Sequence, residues 1–101
     1  MLFMMQVSFP LEKFNRAMAE GTAGLKLKRI LEDIKPEAVY FAAKEGKRGG
    51  FILVNVEKSP DFPKMAEPWF LNFDAQVEFT PVMTPEDLQK SGLDEMAKKW
   101  K

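Results

Sequence analysis

The sequence predicts an α+β protein: one four-stranded antiparallel sheet in the order 4-1-3-2, with helices on one face. Three observations predict it. Short stretches near residues 2–9, 37–44, 51–57 and 74–80 alternate between two faces, the period of a strand. The first pair and the last pair of these stretches are separated by segments whose apolar residues recur every three to four positions, the period of a helix. The middle pair is joined only by Glu45-Gly46-Lys47-Arg48-Gly49-Gly50, a loop rich in turn residues. Two βαβ halves joined by a hairpin make the split βαβ, or ferredoxin-like, arrangement.

In the first strand, Leu2–Phe9, Phe3, Met5, Val7 and Phe9 share one face and Leu2, Met4, Gln6 and Ser8 the other. Pro10 stops the ladder and suits the first turn of a helix. Leu11–Ile34 is helical with a defect. Leu11, Phe14, Met18 and Gly21 form one stripe, while Leu27, Ile30, Leu31 and Ile34 form another on nearly the opposite side. The slip falls at Gly21-Thr22-Ala23-Gly24, so two helices with Gly21–Gly24 outside both are expected. Pro36 ends the second. Strands follow at Glu37–Lys44 and Phe51–Glu57. Ser59-Pro60-Asp61 reads as cap, proline and acid at a helix start, and Phe62, Met65, Ala66, Trp69, Phe70 and Phe73 then form the clearest helical stripe, with Pro68 inside it. The last strand is Asp74–Thr80. Thr84-Pro85-Glu86-Asp87 repeats the cap signal, and Ser91-Gly92 interrupts the helix it starts.

The 101 residues suffice for one domain, expected over 1–101, with a C-terminal helix at about 85–100 on the edge of a dimer. There is no Cys, which excludes disulfides, thiolate nucleophiles and Cys-bound metal. There is no His, which removes the usual proton shuttle and the usual metal and haem ligand. No cofactor and no metal are expected. Fifteen basic residues balance fifteen acidic ones, so nothing marks a nucleic-acid partner. The longest uncharged run, Met1–Leu11, falls well short of the roughly 20 residues that span a bilayer. It also lacks the leading charge and cleavage site of a signal peptide. No membrane association is expected, and the cytoplasm is the expected location.

The two sheet faces differ. The helix side would carry Phe3, Met5, Val7, Phe9, Val39, Phe41, Ile52, Val54, Val56, Val77 and Phe79. The other side would carry Leu2, Met4, Gln6, Ser8, Tyr40, Ala42, Phe51, Leu53, Asn55, Gln76 and Glu78. That mixture is too apolar for a solvent face and too polar for a core. A second copy of the same sheet is the simplest cover, because a two-fold interface uses one patch twice. The expectation is a homodimer through this face, enclosing a polar pocket.

The segment Glu67-Pro68-Trp69-Phe70-Leu71-Asn72-Phe73-Asp74-Ala75-Gln76-Val77-Glu78 resembles the corresponding stretch of muconolactone isomerase-like proteins of the dimeric α/β barrel superfamily. Around Pro36-Glu37-Ala38-Val39-Tyr40-Phe41 and Val82-Met83-Thr84-Pro85-Glu86-Asp87-Leu88 the chain also resembles a small bacterial family of uncharacterised proteins in that superfamily. The resemblance implies a homodimer with two sheets face to face. Superfamily members include isomerases, cofactor-free monooxygenases, haem-degrading enzymes and haem peroxidases. The absence of His departs from the haem branches and from many monooxygenase sites.

Chemistry, if present, is expected on the covered face. Glu78 and Gln6 should lie on adjacent strands, with Asn55 and Tyr40 on the next two and Gln76 beside Glu78. Burial disfavours a charged carboxylate and suits Glu78 to act as a general base on an acidic C–H. Tyr40 is a candidate donor, and Gln6, Asn55 and Gln76 are candidate ligand-binding groups. The plainer reading is that these groups satisfy one another, or water, across the dimer seam. Two functions fit such a face. One is a dimeric small-molecule-binding or structural module. The other is a cofactor-independent isomerase or lyase acting on a small organic acid or lactone.

Overall fold

The computed structural model describes residues 1–101. In chain order the elements are β1 (Leu2–Ser8), α1 (Leu11–Ala19), α2 (Ala23–Ile34), β2 (Ala38–Lys44), β3 (Lys47–Asn55), α3 (Asp61–Phe73), β4 (Gln76–Pro81), α4 (Pro85–Gln89) and α5 (Leu93–Lys99). The sheet order is β2-β3-β1-β4, and every neighbouring pair is antiparallel. This is the predicted order read from the other edge. The fold is α+β, the ferredoxin-like split βαβ arrangement with helices on one face of the sheet.

Alternation in the strands aims Met5, Val7, Ile52 and Val54 at the helices, where they join Phe14, Ala17, Ile30, Ile34, Trp69 and Phe73 in one core. Two aromatic clusters pin the helices to the ends of β1. At one end Phe9, Phe14 and Phe73 pack with centroids 4.7–5.2 Å apart. At the other, Phe62 lies 4.8 Å from Phe3 and 4.9 Å from Phe79. Trp69 is fully buried, and its indole N–H has no partner, a cost of about 1–3 kcal/mol that the packing of the ring must outweigh.

Four expectations need correction. The helical break is Glu20–Thr22, not Gly21–Gly24: Gly21 takes φ 75° and stops α1, whereas Gly24 lies inside α2. The buried stripe of α1 is Phe14 and Ala17, while Leu11 and Met18 are exposed. The hairpin turn contains only Glu45-Gly46, at φ 55° and 76°. Two left-handed residues match the twist of a tight hairpin, so Lys47–Gly50 extends β3. Phe41 faces the helix side but stays 55 % exposed, because it sits on edge strand β2 beyond the helical cover. One smaller difference concerns Ser59, whose side chain caps nothing; Pro60 holds the N-cap position of α3.

Beyond β4 the chain leaves the body. Thr84 and Asp87 form a reciprocal capping box that starts α4, and Gly92, at φ 78°, separates α4 from α5. No residue of either helix is buried. Leu88, Leu93, Met96 and Trp100 are all exposed. The protomer measures 60 × 28 × 18 Å with a radius of gyration of 17.1 Å. A compact chain of this length would have about 13 Å. Residues 83–101 therefore form a projecting arm. No helix is long and apolar enough to cross a membrane.

Candidate functional site

The outer sheet face is ordered by the strand register. Gln6 on β1 sits between Glu78 on β4 and Phe51 on β3, and Phe51 is paired in turn with Tyr40 on β2. Glu78, Gln6, Phe51 and Tyr40 thus form one transverse row across all four strands. The next row is Gln76, Ser8, Gly49 and Ala42. The row on the other side is Thr80, Met4, Leu53 and Ala38. Polar groups therefore gather toward the hairpin end of the face and apolar groups toward the other end.

An open depression of about 200 Å³ occupies the polar end. Gln6, Ser8, Gln76 and Glu78 line one side, and Phe51 with Lys44 and Lys47 of the hairpin lines the other. The Lys44 ammonium lies 5.7 Å from the Phe51 ring centre. Gly49 forms the floor: a Cβ there would collide with the Val7 carbonyl oxygen. Arg48 points to the opposite face, donating to Asn15 Oδ1 at 2.6 Å and lying 5.0 Å over the Phe14 ring. That contact ties the hairpin to α1. None of Gln6, Ser8, Gln76, Glu78 or Tyr40 makes a side-chain hydrogen bond within the protomer.

The expected constellation is only partly assembled. Gln6, Gln76 and Glu78 come together. Asn55 does not join them: it pairs with Leu2 at the far end of β1, and its amide donates to the Glu37 carboxylate. Four residues along β3 separate it from the Phe51 row, about 13 Å at the rise of a strand. Tyr40 shares the row with Glu78 but sits three strand spacings away, about 14 Å, so within one protomer it cannot serve the same ligand atom. Glu78 is exposed in the protomer, whose outer face no helix covers, so its burial depends on a facing partner. Ser8 and the hairpin lysines were missed as lining groups. Ser8 was legible from its register opposite Gln76, and Lys44 from its place two residues beyond Ala42 on β2; Lys47 was hidden by reading β3 four residues too short.

The fold and the face define an α+β, ferredoxin-like protein whose sheet has one uncovered surface of mixed polar and apolar residues. The chain belongs to the DUF3303 family, described as a domain of unknown function, whose model matches residues 1–94. No curated protein matches the sequence. Among solved structures the chain is similar to 5-chloro-2-hydroxyhydroquinone dehydrochlorinase from Burkholderia phenoliruptrix, in complex with 2,5-dihydroxybenzoquinone. The TM-score is 0.62 at 15 % identity, covering 86 % of this chain and 98 % of that one. At that identity the likeness shows the fold.

Proposed function

We propose that this chain is a homodimeric small-molecule-binding protein, a single domain over 1–101, with its ligand held in a polar pocket between paired sheets. The observation that carries the reading is the unpartnered set Gln6, Ser8, Gln76 and Glu78 lining one depression beside an aromatic ring. The depression alone is smaller than the roughly 300–1,000 Å³ of ligand pockets, and a facing sheet supplies the missing wall. The residues suit a flat, hydroxylated organic ligand. Phe51 offers a ring face, the amides and Ser8 offer hydrogen bonds, and Lys44 and Lys47 stand against the carboxylates of Glu45 and Glu78, so the lining presents both signs of charge. No cofactor is required, and the cytoplasm is the proposed location.

A second reading is favoured by the direct pairing of Gln6 with Glu78. In it, Glu78 is the general base of a cofactor-independent isomerase or lyase on a small organic acid or lactone, and Gln6 binds the developing enolate oxygen. The resemblance to muconolactone isomerase-like proteins and the dehydrochlorinase neighbour both support that direction.

Saturation-transfer NMR with 2,5-dihydroxybenzoquinone and hydroxylated benzoates tests the binding reading. Saturable binding that Gln6→Leu or Glu78→Gln weakens at least tenfold, with folding and dimerisation kept, is expected. No binding, or binding indifferent to both substitutions, would overturn it. Turnover of a bound compound that Glu78→Gln abolishes would select the enzyme.

A further inference from the structure

The transverse row Glu78–Gln6–Phe51–Tyr40 begins and ends on the two edge strands, with the carboxylate on β4 and the phenol on β2. Tyr40 is the sole tyrosine of the chain and is 68 % exposed, with no partner. The row acquires a role in the homodimer proposed above, on which this inference rests. Two outer faces related by a two-fold must have the axis lying in the plane between them. It can run across the strands or along them.

An axis across the strands stacks β4 on the partner's β4. With the row level with that axis, both Glu78 carboxylates meet at one edge of the seam and both phenols at the other. Like charges so placed repel where water cannot screen them. An axis along the strands stacks β4 on the partner's β2 with each row kept level. Glu78 then faces Tyr40 of the partner subunit, and Gln6 faces the partner's Phe51. Packed sheets lie about 10 Å apart, a gap that a glutamate and a tyrosine reaching from opposite walls span together.

The arm points the same way. It starts where β4 ends, at the Leu2 end of the sheet, since Pro81 pairs with Phe3. With the axis along the strands, that point abuts the start of the partner's β2. The corresponding stretch, Val39–Ala43, is an uncharged edge strand exposed from Tyr40 onward. An exposed edge of this kind calls for cover, and α4 and α5 carry the exposed apolar residues Leu88, Leu93, Met96 and Trp100. The area argues likewise. Four strands about 4.8 Å apart and about 23 Å long give a flat footprint near 440 Å² per protomer, against about 800 Å² per partner in a stable interface. The arm is the available source of the remainder.

We propose that the dimer axis runs along the strands, so that each depression is completed by Tyr40 of the partner subunit opposite Glu78, with the C-terminal arm clasped over the partner's β2 edge. The site is then composite: one protomer supplies the carboxylate and amides, the other the phenol.

The absence of cysteine makes a clean test. Full-length chains carrying Glu78→Cys or Tyr40→Cys are prepared separately, then mixed by joint refolding and treated with a thiol crosslinker spanning about 10 Å. Covalent dimers are expected in the mixture and not in either variant alone. Gln76→Cys with Ala42→Cys, the two ends of the adjacent row, should behave the same way if the first pair weakens the dimer. Crosslinking of Glu78→Cys to itself would establish the other axis and overturn the proposal. So would a dimer by light scattering that neither mixed pair crosslinks. A wild-type monomer by light scattering would instead remove the homodimer reading itself, and this proposal with it.

Discussion

Gly21 and Gly24 lie three positions apart, and replacing each by alanine should shift stability in opposite directions. Neither glycine has an atom within 4 Å of where a Cβ would stand, so packing is not at issue in either case. The difference is the backbone. Gly21 has φ 75°, and holding an alanine there costs about 1–2 kcal/mol. The stiffer unfolded chain returns about 0.4–1 kcal/mol. The net is a loss of about 1 kcal/mol. Gly24 is the second residue of α2, in right-handed helix, so Gly24→Ala gains about 0.5–1 kcal/mol from propensity and unfolded-state entropy together. For a chain of this size 1 kcal/mol moves Tm by about 4–8 °C. Thermal unfolding followed by far-UV circular dichroism, at one fixed protein concentration, should show Gly21→Ala below the wild type and Gly24→Ala above it. The double variant should fall near the wild type. Equal signs for the two single variants would refute the assignment of the helix break to Glu20–Thr22.

Two further substitutions probe the sheet. Leu53 is partly exposed on the outer face beside Met4 and Ala38, so Leu53→Glu should leave the protomer folded and split the proposed dimer; light scattering at low micromolar concentration should give about twice 11.6 kDa for the wild type and the single-chain mass for the variant. Gly49→Ala should cost about 1–3 kcal/mol in chemical denaturation, because its Cβ meets the Val7 carbonyl in the middle of the sheet, where neither strand can yield; an unchanged midpoint would show that the ladder relaxes there.

The sheet and its order were legible because alternation and the βαβ–hairpin–βαβ sequence of elements leave few topologies open. The pairing of Gln6 with Glu78 came from the same pattern. Asn55 lies on the expected strand and face but outside the depression, because face assignment gives a residue's side of the sheet and not its height along the strand. The length of β3 was misread because a composition rich in glycine does not distinguish a long loop from a two-residue turn followed by close-packed strand glycines. Phe41 was read as core because alternation is blind to where the helical layer stops. The arm's apolar stripe was visible in the sequence, while its projection away from the body is a property of the folded chain alone.

The central place of β1 has a consequence for how the chain is made. Met1–Leu11 carries no charge, and β1 lies at the middle of the sheet, paired on one side with β3 and on the other with β4. Its second ladder joins Ser8 to Gln76, about 70 positions later. At ribosomal rates of about 5–20 residues per second, β1 waits roughly 4–14 s for its last partner. Throughout that interval an uncharged, strand-prone segment has both edges available or only one filled, the condition under which chains pair with each other. Ladders of such long separation also form slowly once the chain is complete. Yield in heterologous expression should therefore depend on temperature and chaperone supply more strongly than the stability of the finished fold would suggest.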